Sequence, residues 1–465
     1  MSTRAVTILT LVGYTASLLG VGLWLRRRGG GFADYVIGGG RIPAWMLAVS
    51  FFANFVSSNS LVGHASKSYE VGLVWSWVAV TMVVCCAWSW WWLAPRFARF
   101  ASATGATTLP DFYEHHWGRG ASLVAAGVVL LGTFFYVLAV MRGTALVVQT
   151  SLEVSYPAAL LAVWAVTVAY CVAGGFWADV STDVLQAFVL FVGAAGLFIA
   201  LAFASGQPAT TPLRPAPIGL VLAVGLGGGL KLLTDPKQVM VFYAMPNERA
   251  ASRFRVLGPI LLAAVYACLF PIGWLARRVV PSVPQLEELV PRLVSDPGLL
   301  PAWLAPVYLI AVLAASMSSL DSALLVMAAC AEKHLVAPTL RATVSTARTR
   351  ALLGAFATAA LAVSLRQLGG IIGLTTFAGA VVGAALTPTI IVALAGRPPP
   401  RRRALASMAL GLAGAAAGRW LSERGSGPWL QDTFLGLAAA TLPIAIGLLR
   451  TRVRRGSGGG HAPGL

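Results

Sequence analysis

Charge is what this chain has least of. Asp, Glu, Lys and Arg make up 11% of its 465 residues, where a soluble protein of this length carries about a quarter. Too few charged side chains remain to clothe a surface in water, which excludes a soluble fold. Cysteine is scarce too. The five present (Cys85, Cys86, Cys171, Cys268 and Cys330) lie in or at the ends of apolar segments. Their spacing offers neither a disulfide framework nor a metal-ligand pattern, so each reads as a small core residue. No nucleophile–base pair and no cluster of His, Asp and Glu at one depth is visible, which argues against an enzyme. A removable leader is not evident either. The apolar stretch Met1–Leu25 is long, lacks a small-residue cleavage site and runs into Arg26–Arg28, the flank of a true span.

Apolar sequence fills the place of charge. Hydrophobic residues reach 58% and mean hydropathy is +0.79. Thirteen apolar spans can be placed, at 5–25, 44–65, 71–94, 120–149, 156–174, 182–205, 216–233, 254–276, 303–332, 350–366, 370–396, 403–418 and 429–449. Each is near the ~20 residues a bilayer requires. The expected fold is an all-α polytopic bundle, integral and multi-pass in the plasma membrane, the inner membrane of a bacterium. The formal net charge of +18 then follows from topology. With the N-terminus outside and the C-terminus inside, 23 of the 34 Lys and Arg fall in cytoplasmic loops and the tail, Lys237 among them, and nine fall outside. That is the positive-inside bias. It assigns the basic excess to orientation and anionic lipid, not to nucleic acid.

Smaller features follow the same logic. Trp88, Trp90, Trp91 and Trp92, just before Pro95 and Arg96, read as an aromatic belt at the cytoplasmic interface. In the longest external loop, Leu286, Leu289, Val290, Leu293 and Val294 have the spacing of a short amphipathic surface helix, with Pro291 as a kink. No soluble domain is expected at either end, and residues 451–465, Gly-rich from Gly456, read as a disordered cytoplasmic tail.

Two short polar stretches interrupt the apolar sequence: Ser50-Phe-Phe-Ala-Asn-Phe-Val-Ser-Ser-Asn-Ser-Leu-Val-Gly63 and Ala314-Ala-Ser-Met-Ser-Ser-Leu-Asp-Ser322. Hydrocarbon cannot hydrogen-bond to a backbone or a hydroxyl, so such segments persist only beside a protein-lined cavity or an ion. Span 2 is expected to break at Asn54–Ser60. Span 7 carries Gly225-Leu-Gly-Gly-Gly229 and then Lys231. Glycine disfavours a helix by about 1 kcal/mol per residue, so a second break is expected there; close helix packing is the other reading. Breaks five spans apart point to an inverted repeat. The chain then divides into a flanking helix and loop (1–43), a first repeat of spans 2–6 (44–205), a second repeat of spans 7–11 (206–396), two flanking helices (397–450) and the tail (451–465).

Five motifs stand in order between Asp34 and Pro388: Asp34-Tyr-Val-Ile-Gly-Gly-Gly-Arg-Ile-Pro43, Tyr69-Glu-Val-Gly-Leu73, Gly174-Gly-Phe-Trp-Ala-Asp-Val-Ser-Thr-Asp-Val-Leu-Gln186, Asp235-Pro236 with Phe242-Tyr-Ala244, and Ala314–Ser322. In these the chain resembles the sodium:solute symporter family of proline, pantothenate and glucose carriers. The resemblance implies a LeuT-like bundle of two inverted five-helix repeats, with Na+ as coupling ion and no cofactor. By position it implies an ion site of the carbonyls of Ala53, Val56 and Ala315 and the hydroxyls of Ser318 and Ser319. Freed carbonyls facing hydroxyls suit a hard cation, whereas a lone serine in a membrane helix bonds its own backbone four residues back. Asp183 matches an acid on the family's inner ion pathway, with Asp321 as a second candidate; each is otherwise a residue near a helix end.

The solute belongs beside the ion, between the breaks, against Asn54, Ser57, Ser58, Asn59 and Ser60 and the bare backbone of Gly227, Gly228 and Gly229. Arg142 lies well inside span 4 and needs a partner: the carboxylate of an anionic or zwitterionic solute, the outer surface, or Glu153. His64 is either a titrating group of a proton-coupled carrier or a packing residue. Span 3 has no acid to hold a sugar ring and Gly225–Lys231 has no aromatic gate, so an organic anion or amino acid is favoured over sugar. The expected function is sodium-coupled symport of a small polar solute by alternating access. Solute, Na+ and membrane lipid are the partners expected, with no nucleic acid and no obligate protein partner. The alternatives are a proton-coupled carrier and a sensor or regulatory protein that kept the fold and lost transport.

Overall fold

A computed structural model of the protein describes residues 3–26, 30–57, 59–204, 206, 212–295, 304–425 and 427–457, and these are helical throughout with no strand among them. Helix α1 (Thr3–Arg26) leads through the short α2 (Phe32–Ile37) to α3 (Ala44–Phe55). Beyond a break, α4 (His64–Val71), α5 (Ser76–Trp88) and α6 (Ala94–Thr104) run nearly end to end, and α7 (Leu109–Trp117) turns into the long α8 (Arg119–Leu152). Helix α9 (Tyr156–Phe203) joins two apolar spans at Gly175 (φ 63°, ψ −168°), a left-handed conformation that glycine adopts freely. Then come α10 (Ile218–Thr234), α11 (Pro236–Tyr243), α12 (Glu248–Arg253), α13 (Leu257–Ala276) and the short α14 (Leu289–Ser295). The chain closes with α15 (Leu304–Ala331), the turn α16 (Ala337–Thr339), α17 (Thr346–Ser364), α18 (Ile371–Leu394), α19 (Arg401–Glu423) and α20 (Asp432–Ser457).

Among the described residues eight helices are long and apolar enough to cross a membrane, or nine if Phe32–Gly40 and Ala44–Phe55, bent by 110°, count as one. Fewer pass this test than the thirteen expected spans because breaks and kinks shorten several. Helix α3 has 12 residues, and the first limb of α9 contributes only the shorter apolar helix Tyr156–Val172. Helix α15 lies at the centre, packed on α8, α9, α3 and α17. Its apolar window is 94% buried, and its small residues Ala314, Ala315, Ser316, Ser318 and Ser319 let its neighbours approach closely.

Several sequence expectations are corrected here. The glycine run of span 7 is unbroken helix, because Gly225, Gly228 and Gly229 press against Thr81, Met82 and Cys85 of α5, where any side chain would collide. The break falls instead at Asp235 (φ −56°, ψ 128°), the residue that Pro236 forces out of helix. Trp90 is not part of an interfacial belt. It is fully buried against Phe51 and Phe242, with ring centroids 5.2 Å and 5.4 Å away. Trp88 and Trp91 stay exposed, and Arg255 and Arg96 stack on Trp91 and Trp92. The amphipathic loop segment forms α14, burying Leu289, Val290 and Leu293. Helix α20 continues to Ser457, past the expected start of the tail, and residues 458–465 lie outside the described residues.

One clamp ties the start of α7 to the end of α15. Asp111 accepts the N–H groups of Thr107 and Thr108 at 2.8 and 2.9 Å and pairs with Lys333 at 2.8 Å. His334 lies 3.4 Å from its other oxygen. Burial pushes the Asp111 carboxyl up, but the His334 hydrogen bond, the Lys333 ammonium and the Thr107 N–H together hold it well below the usual carboxylate range. The folded value lies below the unfolded one, so the stabilisation is complete above about pH 4 and is lost as pH falls toward the folded value. Asp111→Asn is therefore expected to lower stability by about 2 kcal/mol at pH 7. Melting curves of variant and wild type should converge below about pH 4; a pH-independent difference would rule the charge out as the cause.

Candidate ion and solute site

Helix α3 stops at Phe55, and Val56 (φ −80°, ψ 117°) is extended. Helical geometry resumes as a wide turn at Asn59–Gly63. The last carbonyls of any helix lack partners within it, and here they are buried. The hydroxyl of Ser318 donates to Ala53 O at 2.9 Å and that of Ser319 to Asn54 O at 3.0 Å. Ser318 Oγ also lies 3.4 Å from Ala315 O. Two residues earlier, Ser316 bonds its own helix at Val312 O, 2.7 Å away. The Ser318–Ser319 pair instead reaches across to the broken helix. Ala53, Ala315, Ser318 and Ser319 thus come together, with Val56 at the break itself.

One turn along α15 lies an acidic cluster. Carboxylate oxygens of Asp179 and Asp183 on α9 and of Asp321 on α15 all fall within 4.8 Å of one another. This overturns the expectation that no such cluster forms, and Asp183 and Asp321 sit inside the bundle instead of near a helix end. Asp179 and Asp183 are four residues apart, which puts them on one helix face. Ser50 donates to Asp183 at 2.5 Å, and Tyr170 to Asp321 at 2.9 Å. Ser322 Oγ lies 2.6 Å from Asn54 Oδ1 and 2.7 Å from Asp179 Oδ2, with one proton to give. Asp179 Oδ1 and Asp183 Oδ1 have no hydrogen-bond partner among the described residues. Three carboxylates so placed are a donor set for a hard cation.

Two lysines gather at the Tyr136 ring nearby. The Lys237 ammonium donates to Asn54 O at 2.8 Å and sits 4.1 Å from the Tyr136 ring centroid. Lys231 approaches the same ring at 3.8 Å. Lys237 is therefore not a loop residue. Because the break falls at Asp235, α11 stays within the bundle and Lys237 is only 2% exposed.

Between the two broken helices is a narrow cavity lined by Phe55, Ser57, Ser60, His64, Gly228, Lys231 and Tyr266, with Thr375 and Thr376 of α18. It leaves about 20 Å³ for the centres of water molecules, room for a water but not for an organic solute. Ser57, Ser60 and Gly228 thus face the expected space. Asn54 does not: its amide donates to Ser50 and Asp183 and its oxygen meets Ser322. Gly227 packs toward Thr376 and Thr433, and Gly229 toward Cys85. Ser58 and the side chain of Asn59 lie outside the described residues. Arg142 is elsewhere, donating to Gln367 O at 3.1 Å and to Gly369 O, where it holds the turn between α17 and α18. His64 accepts the Trp75 indole N–H on Nδ1 at 3.2 Å and stacks on Phe270.

Known proteins resemble this chain in sequence and fold. A model of the sodium:solute symporter family matches residues 35–214. A sodium/pantothenate symporter of Haemophilus influenzae is 26% identical over 339 residues, 68% of this chain and 69% of its own. The high-affinity proline transporter PutP of Bacillus subtilis is 26% identical over 453 residues, 92% of this chain and 94% of its own. In these matches the chain is similar to the sodium:solute symporter family. Its LeuT-like fold is shared with a Na+-coupled sialic acid symporter solved in a substrate-bound outward-open state (TM-score 0.77, 17% identity, 96% of this chain and 97% of that one). A nucleobase-cation-symport-1 family transporter in a closed conformation is more distant, at TM-score 0.57. The protein is an integral multi-pass membrane transporter, not an enzyme.

Sequence reasoning missed Asp179, Lys231, Lys237 and Tyr136. For Lys231 the signal was present, since an ionisable residue within an apolar span is a functional candidate; Asp179 and Lys237 fall between the expected spans. Arg142→Gln in this transporter is expected to lower the melting temperature through lost carbonyl bonds. Solute affinity, read by binding to the purified protein, should stay within about twofold; a larger loss would return Arg142 to the solute site.

Proposed function

We propose that this transporter carries a small polar solute inward, driven by sodium, through thirteen crossings with the N-terminus outside and the C-terminus inside. The ion is held by the carbonyls of Ala53, Val56 and Ala315 and the hydroxyls of Ser318 and Ser319, and the solute beside it against Ser57, Ser60 and Gly228. One observation carries this reading: the paired hydroxyls of α15 already bond the carbonyls that the break in α3 sets free. A hydroxyl that donates to a carbonyl can turn its proton away and offer its oxygen, together with the carbonyl's, to a small cation. Asp183 and Asp321, with Asp179, supply negative charge on the inner path and lower the cost of dehydrating the ion. Ion and solute share the broken helices, so each favours the same closed state; that shared free energy is the coupling. Names among the relatives pair sodium with pantothenate or proline.

The buried aspartates favour a second reading, a proton as coupling ion. Sodium titration with choline as the replacement ion separates the two. Purified protein should gain thermal stability with sodium at fixed pH, and the Ser318→Ala, Ser319→Ala double variant should need at least about tenfold more. Stability indifferent to sodium at every pH would end the sodium reading.

A further inference from the structure

We propose that Lys231 anchors the transported solute, and that this solute is a small organic monocarboxylate, not an amino acid or an uncharged compound. The proposal rests on the reading that the cavity between the broken helices is the solute site. The chain has four lysines. Lys67 pairs with Glu70, Lys237 donates to Asn54 O, and Lys333 pairs with Asp111 and Thr107. Lys231 is only 5% exposed, and its ammonium makes no hydrogen bond or ion pair among the described residues. It has two rings, Tyr136 at 3.8 Å and Phe55 at 5.8 Å. Ring faces offset part of the cost of burying a cation, but they do not replace a counter-charge.

The cavity that Lys231 lines contains no carboxylate. Asp235, four residues on, turns instead to the start of α11, where it accepts the Lys237 N–H at 3.0 Å. Lys231 therefore faces an apolar-walled space furnished with hydroxyls and the His64 ring. The Trp75 indole can only donate, so it fixes His64 Nδ1 as acceptor and leaves Nε2–H as a second donor on the cavity wall. Donors without an acid suit an anion. An amino acid would bring its own ammonium beside Lys231 with no carboxylate to receive it, and a neutral solute would leave Lys231 unpaired in hydrocarbon. Phe55, Tyr266 and Ile372 supply an apolar wall for the rest of the molecule. The cavity is too narrow for any organic solute as it stands, so its walls must part on entry.

The test uses the full-length purified protein in sodium buffer, with thermal shift as the readout. Acetate, propionate and lactate represent the anions, propionamide the neutral isostere, and alanine and proline the zwitterions. At least one carboxylate should stabilise the wild type at least about tenfold more tightly than propionamide or either zwitterion. Lys231→Met should weaken that carboxylate about tenfold or more, and Lys231→Arg should restore most of it. Equal affinity for propionate and propionamide, tighter binding of a zwitterion, no shift by any carboxylate, or full carboxylate affinity in Lys231→Met would each overturn the proposal. Should Lys231→Met fail to fold, the comparison of anion, amide and zwitterion on the wild type decides alone. Sodium stabilisation is read in the same experiment without solute. Its persistence alongside a failed carboxylate response sinks the Lys231 proposal and leaves the ion reading standing.

Discussion

Backbone that leaves its helix in the middle of a membrane must find partners, and α15 provides them here. Two serine hydroxyls from one turn of α15 reach the carbonyls of Ala53 and Asn54. Left unpaired in hydrocarbon, each such group would cost several kcal/mol, so the break in α3 exists only because α15 stands opposite. That requirement explains why α15 is central and built from small residues. It also explains why the next turn of α15 is polar: Asp321 and Ser322 continue the same face toward Asp179 and Asp183. The break, the serine pair and the acids form one continuous polar seam.

Charge is balanced along that seam unevenly. Three carboxylates cluster between α9 and α15, and Lys237 donates to the Asn54 carbonyl beside them. Lys231 sits over the Tyr136 ring, and no carboxylate lines its cavity. Under the proposed reading the seam is rich in anions on the ion side and places Lys231 on the solute side, which suits a carrier of a cation together with an anion.

Much of this was legible in the chain, and the failures share a cause. The break at Asn54–Ser60 and the pair Ser318–Ser319 announce themselves locally, since polar atoms at apolar depth survive only where a partner, a cavity or an ion receives them. The glycines of α10 misled because glycine weakens a helix alone but admits a close neighbour in a bundle, and only α5 reveals which applies. Moving the break from those glycines to Asp235 carries Lys237 from a loop into the core. Trp90 misled for the same reason: it belongs to a run of tryptophans near an interface, yet Phe51 and Phe242 enclose it. Asp179 stood one turn before Asp183 in the chain, but its partnership with Asp321 depends on how α9 packs on α15. Identity of residues shows which groups need partners; packing decides which partner they get.

Asn54 is where these dependencies meet. Its carbonyl receives Ser319 and Lys237, its amide donates to Ser50 and Asp183, and its side-chain oxygen meets Ser322. It therefore joins the freed end of α3 to α9, α11 and α15 at once. A cation that draws on the carbonyls and serines at this point competes with Lys237 for the Asn54 oxygen, and any movement of Lys237 changes the charge felt by the acids below and by Lys231 across Tyr136. The proposed ion site and solute cavity need no long pathway between them, because Lys237 at the first and Lys231 at the second share the Tyr136 ring. Coupling in this fold is then a matter of contact, transmitted through residues that each already satisfy two others.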